Sequence, residues 1–349
     1  MQLEDDNILK RVLDCYSIQV ENVKLLTSKS GRTTWLIETS DGEKILKNAQ
    51  MKPTRMLFIA EAHEHLHNNG LPIAKIHRTT QGGLCVGVED SAFVLYDKVD
   101  GNEVIYYDKE QLTRTMKFMA QFHTNSQGFV HSDESKKRGR IGKWQKLYRW
   151  KLQELEGNKS IAQGLPLDPF SLMFLSHVDK MLERGRQSLM ELDEAAYQNW
   201  SKEWIEAKGF CQQDFTMARL IDTEDDLFMR ELHSITIDLP SRDIRMLMNK
   251  VMKKLSIWDT DLAIQMLQAY DSINPLTEDQ YKVLWTDLKF PHLFCSIIHK
   301  YYLGQKVSWS DEKYIWALQN IIAVENSKAE FTDQFHSLVP LIKEKKEDS

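Results

Sequence analysis

The chain changes character near residue 100, and that change limits its fold more than any other feature. Before it, short strand-like runs alternate with turn residues around a single helical stretch. After it, helical periodicity continues almost to the end. Strands are predicted over residues 20–26, 32–39 and 43–48, the last two joined by Ser40-Asp41-Gly42, where glycine accepts the positive φ of a hairpin turn. Pro53 then opens a helix with Met56, Leu57, Ala60, His63 and Leu66 on one face, closed by Asn69-Gly70. Two more strands are predicted over 84–88 and 92–96, and Asp5 or Asp6 is placed to cap a short helix carrying Ile8, Val12 and Tyr16. Beyond Gly101, helices are predicted over 109–124, 143–156, 170–192 and 241–256, with others up to about residue 342; only 210–238 breaks the pattern. The reading is an α+β chain of two lobes: a small β-rich lobe over 1–99 and a large, mainly helical lobe over 100–349.

A chain of 349 residues with 42% hydrophobic residues can bury such lobes without covalent help. Its four cysteines, Cys15, Cys85, Cys211 and Cys295, are far apart and lack the spacing of a zinc site, so separate thiols are expected. The acidic start and the absence of a long apolar run predict no secretion signal and no membrane span. A net charge of −6 gives no general attraction for nucleic acid. Residues 136–151 are a local exception, a run of lysines and arginines interleaved with Trp144, Tyr148 and Trp150. Helical spacing of Trp144, Leu147 and Tyr148 favours aromatics packed inward beneath solvated charges over a nucleic-acid strand site. An acidic protein partner fits the remaining surface.

Lys47 closes the third predicted strand, ahead of a helix bearing Glu61 and Glu64. A strand lysine held by a helix glutamate can place an ammonium over nucleotide phosphates. Taken alone, the pattern fits solvated surface residues equally well. The second half adds Phe210-Cys-Gln-Gln-Asp-Phe-Thr-Met-Ala-Arg-Leu and, from Glu231, Glu-Leu-His-Ser-Ile-Thr-Ile-Asp-Leu-Pro-Ser-Arg-Asp-Ile-Arg. With Lys29-Ser-Gly-Arg-Thr-Thr-Trp, Met56-Leu-Phe-Ile-Ala-Glu-Ala-His-Glu-His-Leu and Phe290-Pro-His-Leu-Phe-Cys, these segments resemble the kinase-like spore coat proteins of spore-forming bacilli, within the aminoglycoside and choline phosphotransferase branch of the protein-kinase-like fold.

The resemblance implies a degenerate catalytic loop over 210–243. Asp214 falls where the family's catalytic aspartate stands, and Arg219 where it has a metal-binding asparagine. Glu231 falls where it has a metal-binding aspartate, with His233 in place of a second acid; Asp243 matches a buried structural aspartate. Lys47, Glu61, Arg219 and Glu231 are thereby the candidate nucleotide-cleft residues. Arginine has no acceptor lone pair and cannot be a ligand, and glutamate is one methylene longer than aspartate where Mg²⁺ needs near-ideal geometry. No metal site is therefore expected, Mg²⁺ binding is disfavoured, and ATP stays open because Arg219 and Lys47 could neutralise phosphates without metal. The competing expectation is that Arg219 pairs with Asp214 or Glu231 and plugs the cleft. The resemblance further implies a structural component of the endospore coat, made in the mother-cell cytoplasm and partnered by other coat proteins, rather than an enzyme. An atypical phosphotransferase and a nucleotide-binding pseudokinase are the alternatives.

Overall fold

The strand-forming runs that begin at Val20 pair into an antiparallel sheet, as seen in a computed structural model that describes residues 2–29, 31–105, 108–192, 195–213, 215, 217–223 and 226–344. The elements in chain order are α1 (Gln2–Leu13), β1 (Val20–Lys29), β2 (Arg32–Thr39), β3 (Gly42–Ala49), α2 (Pro53–Asn68), β4 (Ile76–His77), β5 (Val86–Val88), β6 (Ser91–Asp97) and β7 (Asn102–Glu103). There follow α3 (Lys109–Asn125), α4 (Trp144–Gln163), α5 (Pro169–Glu191), α6 (Ala195–Glu206), a 3₁₀ turn (Met217–Arg219), β8 (Leu220–Asp222) and β9 (Leu227–Met229). The chain ends in α7 (Ser241–Leu255), α8 (Thr260–Asp271), α9 (Glu278–Lys289), α10 (His292–Tyr302), α11 (Asp311–Asp333) and α12 (Phe335–Lys343).

Two compact units are formed. The first gathers residues 1–105, 121–139 and 208–237, so it takes in two later segments besides the β-rich region; the second holds the rest. In the first unit the main sheet runs β1-β2-β3-β6-β4, with β5 also on β6, and β7-β8-β9 form a small second sheet. The hairpin at Ser40-Asp41-Gly42 forms as predicted, with Gly42 at φ 104° and the Thr39 hydroxyl donating to its carbonyl. Val12, Tyr16, Ile37, Leu46, Phe93 and Leu95 make a core on one sheet face, and α2 packs against β6. That helix starts on Pro53 and is closed by the Asn69-Gly70 turn, with Gly70 at φ 84° and the Leu71 amide reaching back to the Leu66 carbonyl at 3.0 Å.

The predicted cap at Asp5 or Asp6 is overturned, because α1 is already helical from Gln2. Tyr16 is buried as expected, but from the turn after the helix.

The second unit is helical. Gly185 lets α5 approach α4 closely; a Cβ there would lie 2.5 Å from Leu152 Cδ2. Trp144 and Tyr148 of α4 point inward, and Trp144 Nε1 donates to Asp238 Oδ1 at 2.7 Å. The inward-packing reading of the aromatics therefore holds for these two, while Trp150 stays half exposed.

Candidate functional site

The candidate cleft residues with described positions belong to the first unit, and that unit sets their geometry. Lys47 sits on β3 between Thr34 of β2 and Val94 of β6, so strands on both sides fix its backbone. Alternation sends Leu46 into the core and Lys47 to the opposite face. There the ammonium lies 2.5 Å from Glu231 Oε1, with the lysine side chain 22% and the glutamate side chain 9% exposed. His233 Nε2 reaches the same oxygen at 2.9 Å.

Glu231 is held there by its neighbours. Met229 exchanges backbone hydrogen bonds with Pro72 (2.9 Å) and Ala74 (3.0 Å), and the Arg230 amide donates to the Arg219 carbonyl at 3.0 Å. The Leu232 amide donates to His63 Nδ1 at 3.4 Å, while His63 Nε2 bonds the Ala74 carbonyl. His63 therefore keeps its proton on Nε2. Burial pushes its pKa down to about 4, against the opposing pull of the Ala74 carbonyl and the Glu231 charge. Burial also raises the Tyr96 hydroxyl well above the ordinary range, helped by Glu231.

These residues border two cavities. One, of about 240 Å³, is lined by Lys29, Arg32, Lys47, Tyr96, Glu231 and His233 among others. The second, of about 280 Å³, shares Lys47, Tyr96 and Glu231 and adds Arg230 and Asp97. Sequence reasoning missed the roles of Arg32, Arg230 and His63. The only signal for His63 was its place on the apolar face of its helix.

Glu61 lies elsewhere. Both its oxygens are 3.3 Å from the Ser132 amide, and it lines an outer groove with Glu64 and Arg78. Among the described residues no ion pair joins it to Lys47. Arg219 ends the 3₁₀ turn and is not among the residues lining either Lys47 cavity. Asp214 is outside the described residues. Its neighbour Gln213 has φ 74°, and Cys211 exchanges both backbone hydrogen bonds with Thr236. In the second unit Asp243 is fully buried in the first turn of α7.

Residues 10–335 match the family described as Spore coat putative kinase YutH. The chain is 58% identical over 339 residues to spore coat protein S of Bacillus subtilis (strain 168), covering 97% of each. Among solved structures it is similar to an aminoglycoside phosphotransferase from Alicyclobacillus acidocaldarius, with a TM-score of 0.78 at 17% identity and 96% of each chain covered. It is also similar to spectinomycin phosphotransferase in complex with ADP and spectinomycin, with a TM-score of 0.57 at 10% identity, covering 95% of this chain and 97% of that one. At these identities the structural likeness shows the fold, which is the kinase-like one.

Proposed function

From the premise that this chain belongs to the YutH family of spore coat proteins, we propose that it is a structural component of the endospore coat whose kinase-like cleft has left ordinary Mg²⁺–ATP phosphotransfer. The observation that carries this reading is the Lys47–Glu231 pair at 2.5 Å. The carboxylate aligned with a metal-binding aspartate is committed to the ammonium aligned with a phosphate-binding lysine, and His233 reaches the same oxygen. Mg²⁺ takes near-octahedral oxygen ligands at short range. Among the described residues, an oxygen already shared by an ammonium and an imidazole does not fit that demand. Kinase-type catalysis rests on positioning and charge neutralisation by the metal, so the reaction loses its principal stabilising element.

One observation keeps a second reading in play. Lys29, Arg32 and Lys47 line one cavity, a set that would suit nucleotide phosphates held without metal. Thermal melting of the full chain with ATP, with and without Mg²⁺, separates the readings. The structural reading expects no shift in either condition. A shift with ATP alone would favour a nucleotide-binding pseudokinase. A Mg²⁺-dependent shift, with Asp214-dependent transfer of labelled phosphate to coat extract, would overturn the proposal in favour of an atypical phosphotransferase.

A further inference from the structure

Two short segments of the helical unit leave large apolar side chains in water. Ile161, Leu165, Leu167 and Leu172 follow one another from the last turn of α4 to the first turn of α5, and Leu303 and Val307 lie just beyond α10. Leu167 is 92%, Leu303 60% and Val307 96% exposed. Apolar residues scattered singly over a surface are ordinary, whereas grouped ones mark a place of contact.

Hydrogen bonds and a ring stack join the two segments. Tyr301 Oη donates to Asp168 Oδ1 at 3.0 Å, and Ser171 Oγ lies 2.8 Å from Tyr302 Oη. Phe170 stacks on Tyr301 with ring centroids 3.7 Å apart. Leu167, Leu172 and Leu303 are the chain neighbours of these bonded residues, so they flank one joint. The Gln305 amide donates to the Lys300 carbonyl at 3.0 Å and the Trp309 amide to the Lys306 carbonyl at 2.8 Å, which folds the loop bearing Val307 back on the end of α10.

The charges beside this apolar surface carry both signs. Lys300 and Lys306 stand at the end of α10 and on its loop, and Asp311 and Glu312 open α11. The Tyr314 hydroxyl donates to the Lys300 carbonyl at 3.3 Å, which holds the start of α11 next to the end of α10. Asp168 is already engaged, capping α5 through the Phe170 and Ser171 amides, and Lys313 Nζ lies 5.0 Å from the centre of the Trp309 ring. Among the described residues no ion pair joins Lys300 or Lys306 to Asp311 or Glu312. An acidic occupant would be repelled by the first turn of α11, and a basic one by the lysines. A surface bearing both signs unpaired complements itself, because a twofold contact sets each residue of one copy against its opposite in the other, twice over.

We propose that this surface pairs with the same surface on a second copy of the chain. The leucines and Val307 form its centre, and Lys306 of each copy faces Asp311 and Glu312 of the other. The contact is separate from the Lys47 cavity and does not depend on whether nucleotide enters it.

Sedimentation velocity of the full chain over a dilution series tests this, and a monomer–dimer equilibrium is expected. Leu167→Ser with Val307→Ser should raise the dimer dissociation constant about tenfold or more, with melting unchanged because both side chains stand in water. Met190→Ser, an equally exposed apolar position near the other end of α5, should leave it within about twofold. Lys306→Glu, and separately Asp311→Lys with Glu312→Lys, should each raise it about tenfold; mixing these two variants should return it to within about threefold of the original, since both cross-contacts become attractive. Asp311→Asn with Glu312→Gln takes the place of the lysine pair if melting shows α11 disturbed. A monomer at every concentration, a dimer indifferent to the Leu167 and Val307 changes, or charge variants that gain nothing on mixing would each overturn the proposal. So would binding of the unaltered chain to phosphatidylcholine vesicles that the Leu167 and Val307 changes abolish, which would assign the surface to a membrane.

Discussion

Two carboxylates, Glu231 in the first unit and Asp287 in the second, each gather a basic side chain and a histidine, yet their surroundings differ. Glu231 offers one oxygen to Lys47 and His233 and borders two cavities. Asp287 is 2% exposed and accepts from Tyr148 Oη (2.5 Å), His292 Nε2 (2.9 Å) and Arg245 Nε (3.0 Å). Burial alone would raise the Asp287 carboxyl, but Arg245 and the hydrogen bonds from His292 and Tyr148 hold it far below the usual range. His292 stays neutral through burial and the charges of Arg245 and Lys151, and its Nδ1 faces Lys151 Nζ at 3.1 Å. The same residue types make a closed strut in one place and a cleft wall in the other. Solvent access and spare bonding capacity, rather than composition, distinguish a site from a scaffold.

The comparison breaks most sharply at Asp287. Asp287→Ala leaves Arg245 buried without its carboxylate, and about 3–5 kcal/mol of stability should be lost. Chemical denaturation checks this; a loss under about 1 kcal/mol would mean that the network is no tighter than a surface pair. The depressed carboxyl also gives a sign. Its contribution is fully present above the unfolded carboxyl's ordinary value near 4 and is lost as pH falls below it.

His63 sets the next largest effect. Its folded pKa of about 4 lies below the ordinary 6.5, so the unfolded chain binds more protons between those values. Stability should fall as pH drops through that window, by about 3 kcal/mol in all for this group. His292 acts in the same direction. Asp238 opposes them below pH 6, because burial pushes its carboxyl up to about 6 and the folded chain takes that proton first. His63→Gln keeps a donor for the Ala74 carbonyl and should flatten the dependence of the urea midpoint on pH. An unchanged curve would show that another group senses acid.

These effects also mark where sequence reading stopped. The hairpin at Gly42, the helix from Pro53 to Gly70 and the position of Lys47 on a strand were legible because each depends on local periodicity and turn chemistry. The partner of Lys47 was not. Glu61 is on the expected helix, but it turns to the Ser132 amide, seventy-one positions along the chain. Glu231 takes the ammonium because Pro72, Ala74 and His63 pin residues 229–232. Those contacts are non-local, and no spacing encodes them. Arg219 was expected to plug the cleft or to converge there with Lys47; its backbone is tied to the same segment, its carbonyl accepting from the Arg230 amide.

The smallest effect expected is at Glu231 itself, and it is the most discriminating. Glu231→Gln keeps the side chain's shape while removing the charge that faces Lys47 and His233. Because Lys47 retains contact with solvent in the cavity, its ammonium can be hydrated once the carboxylate is gone, so the loss should be about 1 kcal/mol or less. A mild loss in denaturation, set beside a severe one for Asp287→Ala, would establish the two carboxylates as different in kind. If Glu231→Gln instead cost as much as Asp287→Ala, the pair would be a strut like the other. The Lys47 cavity would then follow from a structural ion pair, with no cleft held open beside it.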